Sequence, residues 1–248
     1  MLKSFFKEVG EYCLLMRKTF SRPDNWRMVL KQVPTEMVKL GVDSVGIILI
    51  ISVFMGVIMT MQVVLNTENP MLPRYTTGLM LRDTYLLEFS STIMCLLLAG
   101  KVGSNIASEI GSMRVSEQID AMEIMGVNSA NYLILPKVLG LVLFMPVLVT
   151  FCVALGSLGG AGVAQFTDLI TMSDYIYGIQ YAFIPFYFTQ GVIKSLFFGF
   201  IIASVSSFYG YYAYGGALAV GRASTHAVVN SSVIMLLADV VLTKIMLT

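Results

Sequence analysis

Three ionisable residues interrupt stretches of the sequence that are otherwise apolar: Glu88, Lys194 and Asp239. A charged side chain at the centre of a bilayer costs roughly 2.5–3.5 kcal/mol or more unless it is paired. Each residue lies roughly eight to ten positions from the outer end of its predicted helix, which is about 12–15 Å along the helix axis. We therefore predict that the three residues share one level and that Lys194 neutralises one or both carboxylates.

Motifs for catalysis are absent from the sequence. It contains neither H-E-x-x-H nor G-x-S-x-G, and its only histidine is His226. The pair Gly100-Lys101 resembles the end of a phosphate-binding loop, but Val102 replaces the Ser or Thr of that motif and Cys95 replaces its first Gly. We expect no catalytic residue, no metal and no cofactor bound by this chain, so that any ATP is hydrolysed by another subunit.

The composition indicates a polytopic membrane protein. Of the 248 residues, 56% are hydrophobic and 12% are charged, whereas roughly 25% are charged in a soluble domain. The net charge of +1 gives no indication of an acidic partner or of nucleic-acid binding. The cysteines lack the spacing of a metal site or a disulfide framework, and the N-terminus lacks the apolar core of a cleavable signal peptide.

Five stretches are apolar and long enough to cross a bilayer, which takes about 20 residues. We predict spans at about 44–67, 79–100, 138–162, 184–208 and 223–246. The fourth stretch contains Lys194 but no cluster of turn residues, so we predict one helix there rather than two. A G-x-x-x-G pair in the third span, Gly156 and Gly160, is a weak indication of close helix packing.

Residues 1–43 are predicted to form a separate N-terminal segment of amphipathic helices. Between residues 2 and 20, apolar side chains share one helix face and charged side chains share the other, which is typical of a helix lying in the membrane interface. A soluble helix packed on a partner protein is the alternative. Trp26 is a suitable interfacial anchor, and Pro34 is expected to bend or interrupt a second amphipathic helix that ends near Leu40.

The stretch from Ala99 to Gly126 separates the second and third spans, and its first half predicts a tightly packed helix. Two rows of small residues at a spacing of four let a neighbouring helix come close. The first row is Ala99, Gly103, Ala107 and Gly111, and the second row is Gly100, Ser104, Ser108 and Ser112.

The second half of this stretch, about residues 115–126, predicts a short polar helix outside the membrane. Three acidic residues fall on one side of it and three apolar residues fall on another, and Gly126 is expected to end it. The two sets are Glu117, Asp120 and Glu123, and Ile119, Met122 and Met125. We interpret the stretch as an element that transmits force from a soluble partner into the membrane domain; the alternative is a solvated loop between two spans.

The distribution of basic residues predicts the orientation of the chain. Twelve Lys and Arg residues lie on the side of the N-terminus and of the 101–137 stretch, against three on the opposite side. Because cytoplasmic loops carry an excess of Lys and Arg, we expect a cytoplasmic N-terminus. Five spans then bring the C-terminus to the outer side.

Two stretches of the sequence resemble signatures of one protein family. The first reads AGKVGSNIASEIGSMRVSEQIDAMEIMGV, is followed by Pro136-Lys137, and is similar to the signature of the MlaE-type permease family. Members of this family are the membrane subunits of ABC transporters that work with MCE-domain proteins. The second reads GGALAVGRASTHAVVNSSVIMLLADVVLT and is similar to the family's C-terminal signature. The resemblance extends over nearly the whole chain from the first span, with matching residues at Glu88, Lys194, Arg222 and Asp239.

The sequence departs from the family pattern in two places. The second span reads Leu87-Glu88-Phe89-Ser90-Ser91, where the family often has Arg-Glu-Leu-Gly-Pro. The charge balance and the helix shape are therefore expected to differ there. Ser224-Thr225-His226 replaces the usual pair of threonines and the residue after it.

The resemblance implies one half of a homodimer, in which the 115–126 helix is a coupling helix seated in a groove of a separate ABC ATPase subunit. Its acidic side chains would suit basic groups of the ATPase, and two methionines would be apolar anchors. The residues expected at this contact are Arg114, Glu117, Gln118, Asp120, Met122, Glu123 and Met125.

The resemblance also implies a phospholipid cavity in the dimer, beneath an oligomeric ring of a periplasmic MCE-domain protein. An apolar wall rich in methionine suits acyl chains of varied shape, but an ordinary lipid-facing helix has the same composition. The expected wall residues are Met55, Met59, Gln62, Leu65, Tyr75 and Leu79. A small STAS-type regulatory subunit is a further partner that the resemblance suggests.

The sequence therefore predicts an all-α polytopic membrane protein with an N-terminal interfacial amphipathic helix, five transmembrane helices and a cytoplasmic coupling helix between spans two and three. Its predicted function is that of a non-catalytic permease subunit of an ABC transporter. The transporter would move phospholipids between the bacterial inner membrane and the cell envelope with an MCE-domain partner. A membrane scaffold or assembly subunit without a translocation path is the alternative. In a transporter the charged residues within the spans would form a cluster that shifts during the cycle; a static ion pair fits equally well.

Overall fold

A computed structural model describes residues 2–21, 26–67 and 73–247 of the chain. Within these ranges the secondary structure is helical, without a strand. The helices in chain order are α1 Leu2–Thr19, α2 Trp26–Asn66, α3 Thr76–Val115, α4 Gln118–Ile124, α5 Ser129–Phe166, α6 Met172–Gln180, α7 Pro185–Tyr211 and α8 Ala217–Leu247.

Among the described residues, five helices are long and apolar enough to cross a bilayer: α2, α3, α5, α7 and α8. This result confirms the prediction of an all-helical chain with five spans. The helices extend beyond the apolar stretches that predicted them, since α2 begins at Trp26 and α3 continues to Val115. Backbone hydrogen bonds, which do not depend on side-chain polarity, carry each helix past the end of its apolar stretch.

Pro34 was expected to bend or interrupt the second amphipathic helix, and the structure shows no interruption there. Pro34 lies inside α2, which continues through it and changes to wider π-helical winding over Met37–Val42. Proline removes one backbone hydrogen bond of a helix, and a π segment shifts the hydrogen-bond register by one residue. Two further π segments lie within α3, at Tyr85–Ile93 and Ala99–Gly103.

The chain divides into two compact units. The first consists of Met1–Ser44, Leu96–Met145 and Leu196–Thr248, and the second consists of Val45–Cys95 and Pro146–Ser195. The first unit contains α1, α4 and α8, and the second contains α6. The remaining four helices contribute residues to both units.

In the first unit, one predicted row of small residues forms a close helix contact. A Cβ atom on Gly103 would lie 2.9 Å from Oγ of Ser206, and one on Gly210 would lie 2.8 Å from the carbonyl oxygen of Ala107. The backbones of α3 and α7 therefore approach closely, as small residues permit. The second row is less enclosed, because a Cβ atom on Gly100 would meet no atom within 4 Å.

A network of ion pairs joins three helices of the first unit. The side chain of Lys137, on α5, is 2% exposed, and its Nζ lies 2.8 Å from Oε2 of Glu36 on α2 and 2.8 Å from Oε2 of Glu109 on α3. The Nζ of Lys39 lies 2.6 Å from Oε1 of Glu109. Two bases and two acids thus compensate one another, which burial of charged groups requires.

In the second unit, α2 and α5 approach each other at glycines. A Cβ atom on Gly56 would overlap the carbonyl oxygen of Gly156, and one on Gly159 would overlap the carbonyl oxygen of Val53. The G-x-x-x-G pair of the third span therefore corresponds to a close helix contact, and Gly159 adds to it.

The short helix α6 crosses the start of α3 in the second unit. A Cβ atom on Gly78 would lie 3.0 Å from Cα of Gly178. The buried side chain of Arg82 donates from Nη1 to the carbonyl oxygens of Ile179 at 3.0 Å and Tyr181 at 2.6 Å. These bonds satisfy carbonyl groups that the C-terminal end of a helix leaves unpaired.

Candidate functional site

The short helix α4 follows α3 after a tight turn. Glu117 has a left-handed backbone conformation, with φ of 59°, and Nη1 of Arg114 donates a 2.6 Å hydrogen bond to Oδ1 of Asp120. This ion pair fixes α4 to the end of α3. Gly126 has φ of 78° and follows the last turn of α4, as the sequence predicts for a helix C-terminus.

The carboxylate of Glu123 anchors α4 to other parts of the first unit. Its Oε1 accepts hydrogen bonds from Nζ of Lys18 at 2.6 Å, the hydroxyl of Tyr211 at 2.8 Å and Oγ of Ser129 at 2.9 Å. The bond from the Lys18 ammonium, with those of the two hydroxyls, lowers the pKa of Glu123 to about 2 against the opposing effect of burial. Glu123 therefore joins α4 to α1, to α5 and to the end of α7.

The C-terminal end of α1 is held by side chains that follow α4. Nδ2 of Asn131 donates to the carbonyl oxygens of Thr19 at 2.7 Å and Ser21 at 3.1 Å. The hydroxyl of Tyr12 donates to Oγ of Ser204 on α7 at 2.9 Å. The N-terminal amphipathic helix α1 is therefore bonded to α5 and to α7, both within the first unit.

Two neighbouring apolar side chains at the end of α4 are exposed. Ile124 is 87% exposed and Met125 is 71% exposed, whereas Met122 is half-buried and Ile119 is fully buried. The apolar pattern grouped Ile119 with the two methionines and missed Ile124. The position of Ile124 in the sequence could have predicted its exposure. A residue five places after a buried residue such as Ile119 lies toward the opposite side of a helix.

The acidic residues of α4 differ in their contacts. Asp120 and Glu123 are bonded to basic residues of the same chain, while Glu117 is exposed and Nε2 of Gln118 donates to the hydroxyl of Ser116 at 3.0 Å. The surface that α4 presents therefore combines Glu117 and Gln118 with the two exposed apolar side chains.

The charged residues within the spans are divided between the two units. In the second unit, Nζ of Lys194 lies 3.0 Å from Oε1 of Glu88 and donates to the carbonyl oxygen of Leu87 at 3.1 Å. Oγ1 of Thr92 donates to the other oxygen of Glu88 at 3.2 Å. Lys194 is fully buried and the side chain of Glu88 is 45% exposed. Leu87 and Glu88 belong to the π segment Tyr85–Ile93, a feature common at functional sites.

Further polar side chains accompany this ion pair. Gln190, one turn before Lys194, is fully buried, and its amide has no hydrogen-bond partner among the described residues. The same holds for the hydroxyls of Ser90 and Ser91. Asp239 belongs to the first unit, where it is 8% exposed. In the part of the chain that the structure describes, no group of three or more His, Cys, Asp or Glu residues could hold a metal ion.

The residues expected to line a lipid cavity lie in the second unit. On α2, Met55 and Met59 are half-buried and pack against a core cluster, while Gln62 and Leu65 are exposed.

The two remaining cavity positions lie at the start of α3. The ring centroid of Tyr75 lies 5.4 Å from that of Tyr177 and 5.0 Å from that of Tyr181. Leu79 lines an open depression of about 400 Å³ together with residues such as Asn66 and Asp83. Of the six predicted positions, only Leu79 lines this depression.

Comparison with known proteins gives relatives over most of the chain. Residues 33–245 match the family described as permease MlaE. A probable ABC transporter permease protein of Rickettsia bellii is 39% identical over 158 residues, which are 64% of this chain and 61% of that relative. A probable ABC transporter permease protein of Rickettsia prowazekii is 30% identical over 246 residues, which are 97% of this chain and 93% of that relative.

A third relative carries a more specific name. The intermembrane phospholipid transport system permease protein MlaE of Haemophilus influenzae is 28% identical over 245 residues, which are 98% of this chain and 93% of that relative. Together with five helices able to cross a bilayer, these matches identify a multi-pass membrane protein. The chain belongs to the MlaE permease family.

Proposed function

We propose that this chain is the permease subunit of an ABC transporter that moves phospholipids between the bacterial inner membrane and the cell envelope. The observation that carries the proposal is the alignment over 93% of the Haemophilus influenzae relative, whose name describes intermembrane phospholipid transport. An MCE-domain protein is the partner expected on the outer side, as the family resemblance implies.

The geometry of α4 supports contact with a separate ATPase subunit. A seven-residue helix between two spans exposes Ile124 and Met125, and large exposed apolar side chains next to each other are typical of a protein interface. Glu117 and Gln118 would form the polar edge of this contact. Asp120 and Glu123 would act as internal anchors rather than as ligands of the ATPase.

The remaining parts of the proposal concern assembly and orientation. Two copies of the chain would enclose the lipid path, with the N-terminus and α4 in the cytoplasm and the C-terminus in the periplasm. The excess of basic residues on the side of α4 supports this orientation. A STAS-type subunit would bind elsewhere in the assembly.

The test is reconstitution of the purified chain with its ATPase and MCE-domain partners in proteoliposomes. We expect ATP-dependent transfer of a labelled phospholipid to the MCE-domain protein. Ile124→Asp and Met125→Asp should each weaken ATPase binding by about tenfold or more, since truncating an interface anchor costs roughly 1.4 kcal/mol or more. Leu218→Asp is the control, because Leu218 is 81% exposed but lies on α8.

The outcomes separate the two functions. A complex that assembles with its ATPase but transfers no phospholipid would favour the membrane scaffold. Loss of ATPase binding in Leu218→Asp to the same extent as in Ile124→Asp would contradict the role given to α4.

A further inference from the structure

A cavity of about 140 Å³ lies in the second unit, apart from the residues expected on the lipid path. Its walls come from α3, α5, α6 and the residues that follow α6. The apolar residues among those that line it are Leu81, Leu86, Val153, Ile179 and Phe183.

The polar groups around the cavity are bonded elsewhere. The hydroxyl of Tyr85 donates to the carbonyl oxygen of Ser52 at 3.3 Å, and the hydroxyl of Tyr175 donates to the carbonyl oxygen of Ser157 at 2.7 Å. The guanidinium of Arg82 is engaged by the end of α6 and by a neighbouring carboxylate. A buried water needs two to four polar partners, and an apolar cavity of roughly 150 Å³ can stay dry and accept benzene or xenon. The cavity therefore suits hydrocarbon rather than water.

The most exposed of the residues that line the cavity is an aromatic residue, Phe183. Phe183 is 51% exposed, and Cζ of Arg82 lies 5.7 Å from its ring centroid. The preceding residue, Ala182, has φ of 46°, a left-handed conformation that costs an alanine roughly 1–2 kcal/mol. Strained residues of this kind persist where their surroundings fix them, and they cluster at ligand sites.

Two exposed apolar residues follow Phe183 closely in the chain. Ile184 is 43% exposed and Phe186 is 45% exposed at the start of α7. In a multi-pass membrane protein, exposed apolar side chains at the beginning of a span face acyl chains of the bilayer. Hydrocarbon is thus available at the opening.

We propose that this cavity binds a short segment of an acyl chain of a membrane phospholipid, a segment about the size of benzene, with Phe183 as the side wall of its mouth. The site recognises methylene groups and is indifferent to the headgroup. It is a resident lipid site that does not depend on the transport proposal, because none of the six expected lipid-path residues lines it.

The test is native mass spectrometry of the full chain after extraction from the membrane in a detergent-free polymer. Val153→Phe fills the cavity, and Val147→Phe makes the same substitution on the same helix at an exposed position away from it. We expect wild type and Val147→Phe to retain one more phospholipid per chain than Val153→Phe. Phe183→Ala removes the wall of the mouth without filling the cavity, and its retained lipid should exchange faster.

Three results would overturn the proposal. The first is equal lipid retention in Val153→Phe and Val147→Phe when both variants keep wild-type helix content. The second, should Val153→Phe fail to fold, is unchanged lipid exchange in Phe183→Ala. The third comes from a chain that is exchanged into an alkyl detergent and then returned to lipid. The proposal is overturned if its cavity then holds the detergent and no phospholipid. A wild-type chain that retains this phospholipid but transfers none in the reconstituted complex would count against the transport proposal alone.

Discussion

Replacement of Lys137 by Met should destabilise the chain through the two carboxylates that it leaves behind. The ammonium of Lys137 is 2% exposed and lies 2.8 Å from both Glu36 and Glu109, whose side chains are 17% and 19% exposed. Removing one partner of a buried ion pair costs about 3–5 kcal/mol. Partial exposure of the carboxylates and the remaining bond from Lys39 to Glu109 reduce this cost, so we expect a loss of about 2–3 kcal/mol.

The assay is reversible unfolding of the purified chain in mixed micelles, followed by helical circular dichroism. Neutralising the acids as well, in Lys137→Met with Glu36→Gln and Glu109→Gln, should restore most of the lost stability, because an apolar or neutral replacement of a whole buried ion network is often close to neutral. Lys7→Met is the control. It breaks an exposed pair with Glu11 at 3.7 Å and should change stability by about 0.5 kcal/mol or less.

The reasoning would be refuted by equal losses in Lys137→Met and Lys7→Met. It would also be refuted if the triple variant were less stable than Lys137→Met, because the unpaired carboxylates would then not be the cause. Either result would mean that water or a lipid headgroup compensates the two acids.

Three further predictions concern separate regions. Gly159→Ala should lose about 1–3 kcal/mol of unfolding free energy by overpacking, whereas Gly162→Ala, whose Cβ would meet no atom within 4 Å, should gain up to about 1 kcal/mol from helix propensity; the same unfolding assay compares them. The pKa of Glu123 lies below that of an unfolded glutamate, so the stability contributed by its bonds is full above about pH 4.5 and is lost as the pH falls toward 2. The protection factors of the α1 amides, which are exchange rates corrected for the intrinsic pH dependence of amide exchange, should therefore fall over that window in wild type and be low throughout in Glu123→Gln; wild-type protection factors that do not change with pH would contradict this. Lys194→Met leaves the Glu88 carboxylate without its ammonium partner, so assembly or transport should be impaired, and wild-type levels of both would show that the ion pair is dispensable.

The apolar stretches predicted the number and order of the spans, because the thickness of a bilayer fixes the minimum length of an apolar stretch that can cross it. They did not predict where each helix ends. Polar residues after residue 100 continue α3 to Val115, and Trp26 already belongs to α2. Pro34 shows the same limit, since a local rule that favours a break was overridden by the helix on both sides.

The candidate site was predicted in outline but not in its contacts. Spacing placed Asp120 and Glu123 on one side of a short helix, yet their basic partners lie on other elements of the fold. Helical periodicity also cannot say which side of a seven-residue helix faces inward, so Ile119 was grouped with exposed residues and Ile124 was missed. The pairing of Lys194 with Glu88 was easier to predict from the sequence, because a charge within a span has few available partners.

The contacts that hold α1 have a consequence for the order of events during synthesis. The helix α1 is made before the elements that hold it, because its bond through Lys18 joins residues 105 positions apart and that of Thr19 joins residues 112 apart. Tyr12 meets its partner only across 192 positions. Until about half of the 248 residues have been made, α1 therefore has none of these three partners, and its apolar face needs a temporary neighbour. The membrane surface beside the translocon is a neighbour that an amphipathic helix can bind at once. We therefore expect α1 to lie on the bilayer surface until the later spans are made and pack against it.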